Sequence, residues 1–186
     1  MGTGAIIVIV LIVALVFWFV AIYNSFVRMN AGIDNAYKQI DVQLKRRYDL
    51  IPNLVEAVRG YMKFEKETLE AVISARSKAM SAQPGAEKFA AEGALSGVLG
   101  KLMAVAENYP DLKSNQQVAT LMEELRTTEN QLSFARQYYN DSVMTLNTKV
   151  GQFPSNIIAG MFNFRAKTYF QIEEAARATP KVDLNL

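Results

Sequence analysis

The 186-residue chain contains neither cysteine nor histidine. Without cysteine there is no disulfide, no thiolate metal ligand and no thiol redox chemistry. Without histidine the commonest metal ligand and the usual general base near neutral pH are both missing. That excludes a Ser-His-Asp triad, an HExxH zinc site, phosphotransfer through histidine and the Glu-x-x-His pattern of di-iron bundles. Strand-like alternation is almost absent. Charge of both signs is balanced, for a formal net of +2, which gives no reason to expect nucleic acid as a partner. No residue set points to a cofactor or a metal. Charge is also missing locally, because the first charged side chain is Arg28.

That charge-free start holds the run AIIVIVLIVALVFWFVAI, residues 5–22. At ~1.5 Å rise per residue it spans about 27 Å as a helix, close to the hydrocarbon thickness of a bilayer. A helix crosses lipid with its backbone groups paired internally. Trp18 and Tyr23 stand near one end, where aromatic rings favour the headgroup layer. A cleaved signal peptide would have a basic leader and a small-residue cleavage site, and Ile6 occupies the position where N-myristoylation needs Ser or Thr. The reading is a short tail (1–4), a transmembrane helix (5–23), a long-helix bundle (24–152) and an aromatic-rich C-terminal segment (153–186). Basic residues follow the span (Arg28, Lys38) and none precedes it, which places the bundle in the cytoplasm and the N-terminus outside.

After the span, apolar residues keep a helical period. Ile33, Tyr37, Ile40, Leu44, Ile51, Leu54, Val58 and Tyr61 step by three and four, with one gap. Arg47 fills the place the rhythm reserves in that gap, as a polar interruption of the stripe. Pro52 removes a backbone donor, so a first helix running to about Met80 is expected to bend there. Ser-Ala-Gln-Pro-Gly (81–85) ends it. A second helix is expected over 86–108. Its Gly93, Gly97 and Gly100 cost ~1 kcal/mol each against Ala and imply close helix approach or a looser segment. A third helix, 115–150, carries heptad positions Val118, Leu125, Leu132, Tyr139, Leu146 and Phe153, with Leu121, Thr128, Ala135 and Ser142 at the second offset. At about 50 Å it completes an all-α fold: an N-terminal transmembrane helix followed by an elongated antiparallel helical bundle.

Ser155 or Asn156 is placed to cap a short helix, and a last amphipathic turn is expected over 172–178. The aromatic residues Phe153, Phe162, Phe164, Tyr169 and Phe170 read either as a tail packed across the bundle or as a patch for a partner or the membrane surface. Lys45, Arg46 and Arg47 form a second candidate contact. On a straight helix Lys45 lies ~35 Å past Ile22, several times the ~8 Å screening length, so a solvated or internally paired face is the better reading of this trio. Glu123-Glu124 and Glu173-Glu174 are adjacent, diverge on a helix and do not converge on one proton or metal. Asn130, Tyr138 and Asn140 are read as a buried hydrogen-bond network.

The stretches IDNAYKQIDVQLKRRYDLIPNLVEAVRGYMKFEKETLEAVISAR (33–76), ENYPDLKSNQ (107–116), EELRTTENQLSFARQYYNDSV (123–143) and FPSNIIAG (153–160) closely resemble the LemA family of bacterial membrane-anchored proteins. The resemblance runs through essentially the whole chain. It implies one transmembrane helix, a long α-helical bundle, no established enzymatic activity, and a link in some members to membrane stress or membrane-compartment assembly. Tyr48 departs from it, standing where alanine is usual. The expectation is a non-enzymatic scaffold in the bacterial inner membrane, with lipid, further copies of itself and a membrane protein as partners. A modulator of a membrane enzyme such as a quality-control metalloprotease is the alternative. An enzyme built on carboxylates, Tyr and Lys alone lacks the usual acid–base residues.

Overall fold

The computed structural model describes residues 2–62 and 65–170. Within them the chain is all-α, with no strand among the described residues. Six helices follow in order: α1 (Thr3–Arg59), α2 (Lys66–Ser81), α3 (Ala86–Ala106), α4 (Pro110–Ser114), α5 (Gln116–Gly151) and α6 (Ser155–Met161). The expected turn over 172–178 lies outside the described residues.

The described chain divides into two compact units: residues 2–40 with 134–169, and residues 41–133 with Phe170. Helices α1 and α5 contribute to both. In the first unit α5 runs antiparallel to α1. Lys149 Nζ donates to Ser25 Oγ at 2.6 Å, and the rings of Tyr139 and Tyr37 meet edge-on at 6.0 Å. Phe26, Ile33, Ala36, Ile40, Val143 and Leu146 are buried between them. The second unit is built on α1, α2, α3, α4 and the start of α5. Its core gathers Ile51, Leu54, Val58, Val72, Leu95, Leu99, Leu102, Leu112, Val118 and Leu125, the positions that the three-and-four spacing puts on one face of each helix.

One helix boundary and two local features differ from the expectation. The first helix does not reach Met80: α1 ends at Arg59, and Tyr61 and Met62 both bond back to the Val58 carbonyl in a turn. Met62 is then buried in the core of the second unit, and α2 begins afresh. Pro52, by contrast, sits inside continuous α1. A proline there leaves the carbonyl four residues earlier without its helical donor. That carbonyl belongs to Tyr48, and Arg76 Nε on α2 donates to it at 2.9 Å. A long-range side chain replaces the missing amide. At the end of α5, Gly151 closes the helix, so Phe153 falls in the following turn and is 80% exposed rather than continuing the heptads. Ser155 is not a cap of α6; its hydroxyl donates backward to the carbonyls of Lys149 (2.7 Å) and Gln152 (2.9 Å).

The N-terminus of α5 is capped as Asn and Ser caps are built: Asn115 Oδ1 accepts from the backbone N–H of Gln117 and Val118. The heptad positions Val118, Leu125, Leu132, Tyr139 and Leu146 are buried, and so is Thr128 at the second offset. Thr128 is accommodated because its hydroxyl bonds back to the Glu124 carbonyl at 2.7 Å. Gly97 and Gly100 do not mark a close approach. Both are exposed, and a Cβ added to either meets nothing within 4 Å.

Candidate functional site

Two features stand apart from ordinary bundle packing, one in each unit. In the first unit, every residue of α1 from Thr3 to Trp18 is exposed. This run is long and apolar enough to cross a membrane, and nothing among the described residues buries it. A membrane anchor is the reading it supports. Helix α3 passes the same length and composition test, but it is a core helix of the second unit, with Phe89, Leu95, Leu99, Leu102 and Ala106 buried.

Where the apolar run ends, aromatic side chains gather. Phe162, just past α6, meets Tyr23 at 4.7 Å and Phe19 at 5.9 Å between centroids. Phe164 stacks on Phe26 at 4.9 Å and tilts against Tyr23 at 5.7 Å. Lys149 Nζ stands 5.7 Å over the Phe26 ring, a favourable cation–π position. The segment that carries Phe162 and Phe164 is tied down further along. Asn147 both donates to the Lys167 carbonyl (2.9 Å) and accepts from its N–H (2.8 Å), as a neighbouring strand would. Tyr139 donates to the Thr168 carbonyl at 3.1 Å, and Lys167 pairs with Asp34 at 2.7 Å. Burial, and then the charge of Asp34, hold the Tyr139 hydroxyl above its ordinary pKa.

The expected aromatic tail therefore divides. Phe164 is half-buried, Phe162 and Tyr169 remain 45% and 42% exposed, and Phe170 is buried in the second unit against Phe89 at 4.0 Å. Trp18 is exposed and Tyr23 is half-buried under Phe162 and Phe164.

The second feature is a charged cluster in the core of the second unit. Lys45 and Arg46 are exposed, as a solvated face should be, but Arg47 is fully buried. It drops out of the surface trio with which it was grouped. One terminal nitrogen donates to Ser96 Oγ and Glu129 Oε1, both at 2.7 Å, and the other pairs with the fully buried Glu92. Ser96 also donates to Glu129 Oε2 at 3.0 Å. Tyr48 donates to the other oxygen of Glu92. Lys88 lies 3.4 Å from Glu92, donates to Tyr48 Oη at 2.9 Å and to the Ala79 carbonyl at 2.6 Å.

Two cations thus neutralise two carboxylates, and every carboxylate oxygen has a named partner. The Glu92 and Arg47 side chains are fully buried, that of Glu129 keeps 23% exposure, and Arg47 Nε has no hydrogen-bond partner; the cluster ties α1, α3 and α5 together. Burial is also the first reason that the Tyr48 hydroxyl is held well above its ordinary pKa, followed by its bond to Glu92. Asp41, at the edge, is raised as well, by desolvation, with Lys88 opposing and Glu92 reinforcing.

Sequence reasoning noticed Arg47 as a break in the stripe and read its trio as a solvated or internally paired face, without separating Arg47 from Lys45 and Arg46. Its partners lie 45 and 82 residues away, so nothing local announced them. Tyr48, seen only as a departure from a family pattern, is part of the same cluster. Asn130 and Tyr138 do not form the expected buried network, since each is exposed, Tyr138 at 54%. Among the described residues no group of His, Cys, Asp and Glu could hold a metal ion.

Known proteins resemble this chain along most of its length. It is 27% identical to magnetosome protein MamQ 2 of Paramagnetospirillum magneticum over 184 positions, covering 85% of this chain and 67% of the relative. The same identity and coverage hold for magnetosome protein MamQ of Magnetospirillum gryphiswaldense. Protein LemA of Metamycoplasma hominis is 26% identical over 165 positions, covering 87% of this chain and 75% of the relative. The sequence model of the LemA family matches residues 36–184, which include both the charged cluster and the aromatic segment beyond α6. The chain belongs to the LemA family.

Proposed function

We propose that this protein is a non-enzymatic scaffold, rooted in the bacterial inner membrane by α1 and acting by holding other molecules. The observation that carries the reading is the uncovered apolar run of α1, continuous with the helix that supplies core positions to both units. An uncovered run of that length is stable only in lipid or against a partner. The cluster around Arg47, whose carboxylates are paired by side chains of this same chain, supports a structural role for the most polar part of the core. Relatives named as magnetosome proteins support a role in organising a membrane compartment.

The partners proposed are the bilayer, further copies of this chain, and a membrane protein. The orientation proposed puts both units on the cytoplasmic side, because Arg28 and Lys38 follow the span closely and the bias is set by basic residues, with acidic ones counting for little. Native mass spectrometry of the full chain in nanodiscs should show oligomers or a co-purified membrane protein; monomer alone would remove the scaffold reading. A single cysteine introduced at Phe134 should be labelled by an impermeant maleimide only after inside-out vesicles are prepared.

A further inference from the structure

We infer that the corner formed by the end of α5 and α6 lies in the headgroup layer of the same bilayer that α1 crosses, with Phe153, Ile157, Met161 and Phe162 in contact with lipid. The inference rests on the membrane reading of α1 given above.

Depth comes from the aromatic contacts. Phe162 touches Phe19 and Tyr23, and Phe19 lies within the apolar run while Tyr23 lies one residue beyond it. A ring packed on both shares the level at which the run meets water, the level aromatic side chains prefer. Exposure comes next. Phe153 is 80% exposed, Met161 65%, Ile157 55% and Phe162 45%. Ile157 and Met161 are four apart and share the outer face of α6, while Ile158 and Ala159 on the other face are buried. So α6 is already packed by its inner side, and its outer side is an apolar patch with no cover among the described residues. Such a patch at an interfacial level is what shallowly embedded helices present.

Charge selects lipid over a protein partner as the occupant. No acidic residue occurs in 1–33 or in 142–169. Four basic residues do: Arg28, Lys149, Arg165 and Lys167. Lys149 reaches Ser25, and Arg28 is exposed about 9 Å past Ile22 along α1. Lys167 is neutralised by Asp34 at 2.7 Å, whereas Arg28, Lys149 and Arg165 have no carboxylate partner among the described residues, and unpaired cations beside an apolar corner suit anionic headgroups.

The absence of cysteine allows a direct test on the full chain. Ile157→Cys and Met161→Cys are labelled with an environment-sensitive fluorophore and reconstituted into mixed phosphatidylcholine and phosphatidylglycerol vesicles, with or without brominated acyl chains. Phe134→Cys, about 25 Å back along α5, is the aqueous reference. Trp18, the sole tryptophan, reports the anchor in the same samples. The expected result is a loss of emission in brominated vesicles at 157 and 161 of the same order as at Trp18, and none at 134. Quenching of Trp18 with none at 157 and 161 overturns the corner but leaves the anchor standing. A blue-shifted but unquenched label at 157 or 161 also overturns it, and assigns the patch to a protein or a second copy. Unquenched Trp18 overturns the anchor and the corner together. Unchanged far-UV circular dichroism confirms that each variant is folded.

Discussion

The partnership of Pro52 and Arg76 offers the sharpest test of how this bundle is held together. Pro52 has no amide to give the Tyr48 carbonyl, and Arg76 Nε supplies the bond at 2.9 Å. A charged donor at that distance is worth roughly 1.5–3 kcal/mol. Arg76 is only half-buried, so the lower part of that range applies. Arg76→Met keeps the apolar stem and removes the donor; it should cost about 1.5 kcal/mol in the natural chain. In a Pro52→Ala background the new amide of residue 52 can bond to Tyr48 directly. There, Arg76→Met should cost no more than ~0.5 kcal/mol, as an ordinary surface change does. The coupling energy of the cycle is then about 1 kcal/mol. The assay is the urea midpoint of the four chains in detergent, followed by far-UV circular dichroism because the only tryptophan lies in the span. Equal costs of Arg76→Met in both backgrounds would refute the reasoning, and would mean that water already serves the Tyr48 carbonyl.

Other outcomes follow from the same packing. Arg47→Met should destabilise the bundle by roughly 3–5 kcal/mol, because it leaves Glu92 and Glu129 without their shared cation, whereas Lys45→Ala and Arg46→Ala should each stay within about 0.5 kcal/mol; similar midpoints for all three would remove the buried cluster. Gly97→Ala and Gly100→Ala should each stabilise α3 by up to ~1 kcal/mol, since an added Cβ meets nothing within 4 Å, and a fall in midpoint would show that something packs there. The fold favours the protonated form of Tyr48 over the unfolded chain, whose ordinary pKa is 10.0. The stability it contributes is therefore fully present below that value and lost as pH rises through the higher folded one. Tyr48→Phe should flatten the alkaline fall in urea midpoint and remove a late step from the tyrosinate absorbance titration; an unaltered titration would contradict the burial of this hydroxyl.

Much of the architecture is visible in local pattern. The uncharged run before Arg28 gives the exposed apolar stretch of α1 because length and charge exclusion are properties of consecutive residues. The helical period gives α3 and α5, and the Pro-Gly pair gives the break between α2 and α3, because a turn needs only its own residues. The end of α1 was less visible. Gly60 follows Arg59 directly and is the residue type favoured just past a helix end, but a lone glycine does not settle the matter, and the turn is stabilised by burial of Met62 among side chains from other helices. Phe153 obeys the heptad spacing and still faces water, since Gly151 ends the helix two residues before it.

The sequence by itself determined the helical class, the apolar anchor and the chemistry that is missing, because these depend on composition and on spacing within one turn or one run. Only the tertiary structure decided that Arg47 is buried between two distant carboxylates, that Arg76 repairs the backbone at Pro52, and that Phe162 lies against Phe19 and Tyr23. Each of those contacts joins residues that chain order leaves 28 or more positions apart. Whether a charge is satisfied or a ring is covered depends on what a different helix brings to it, and no local pattern encodes that.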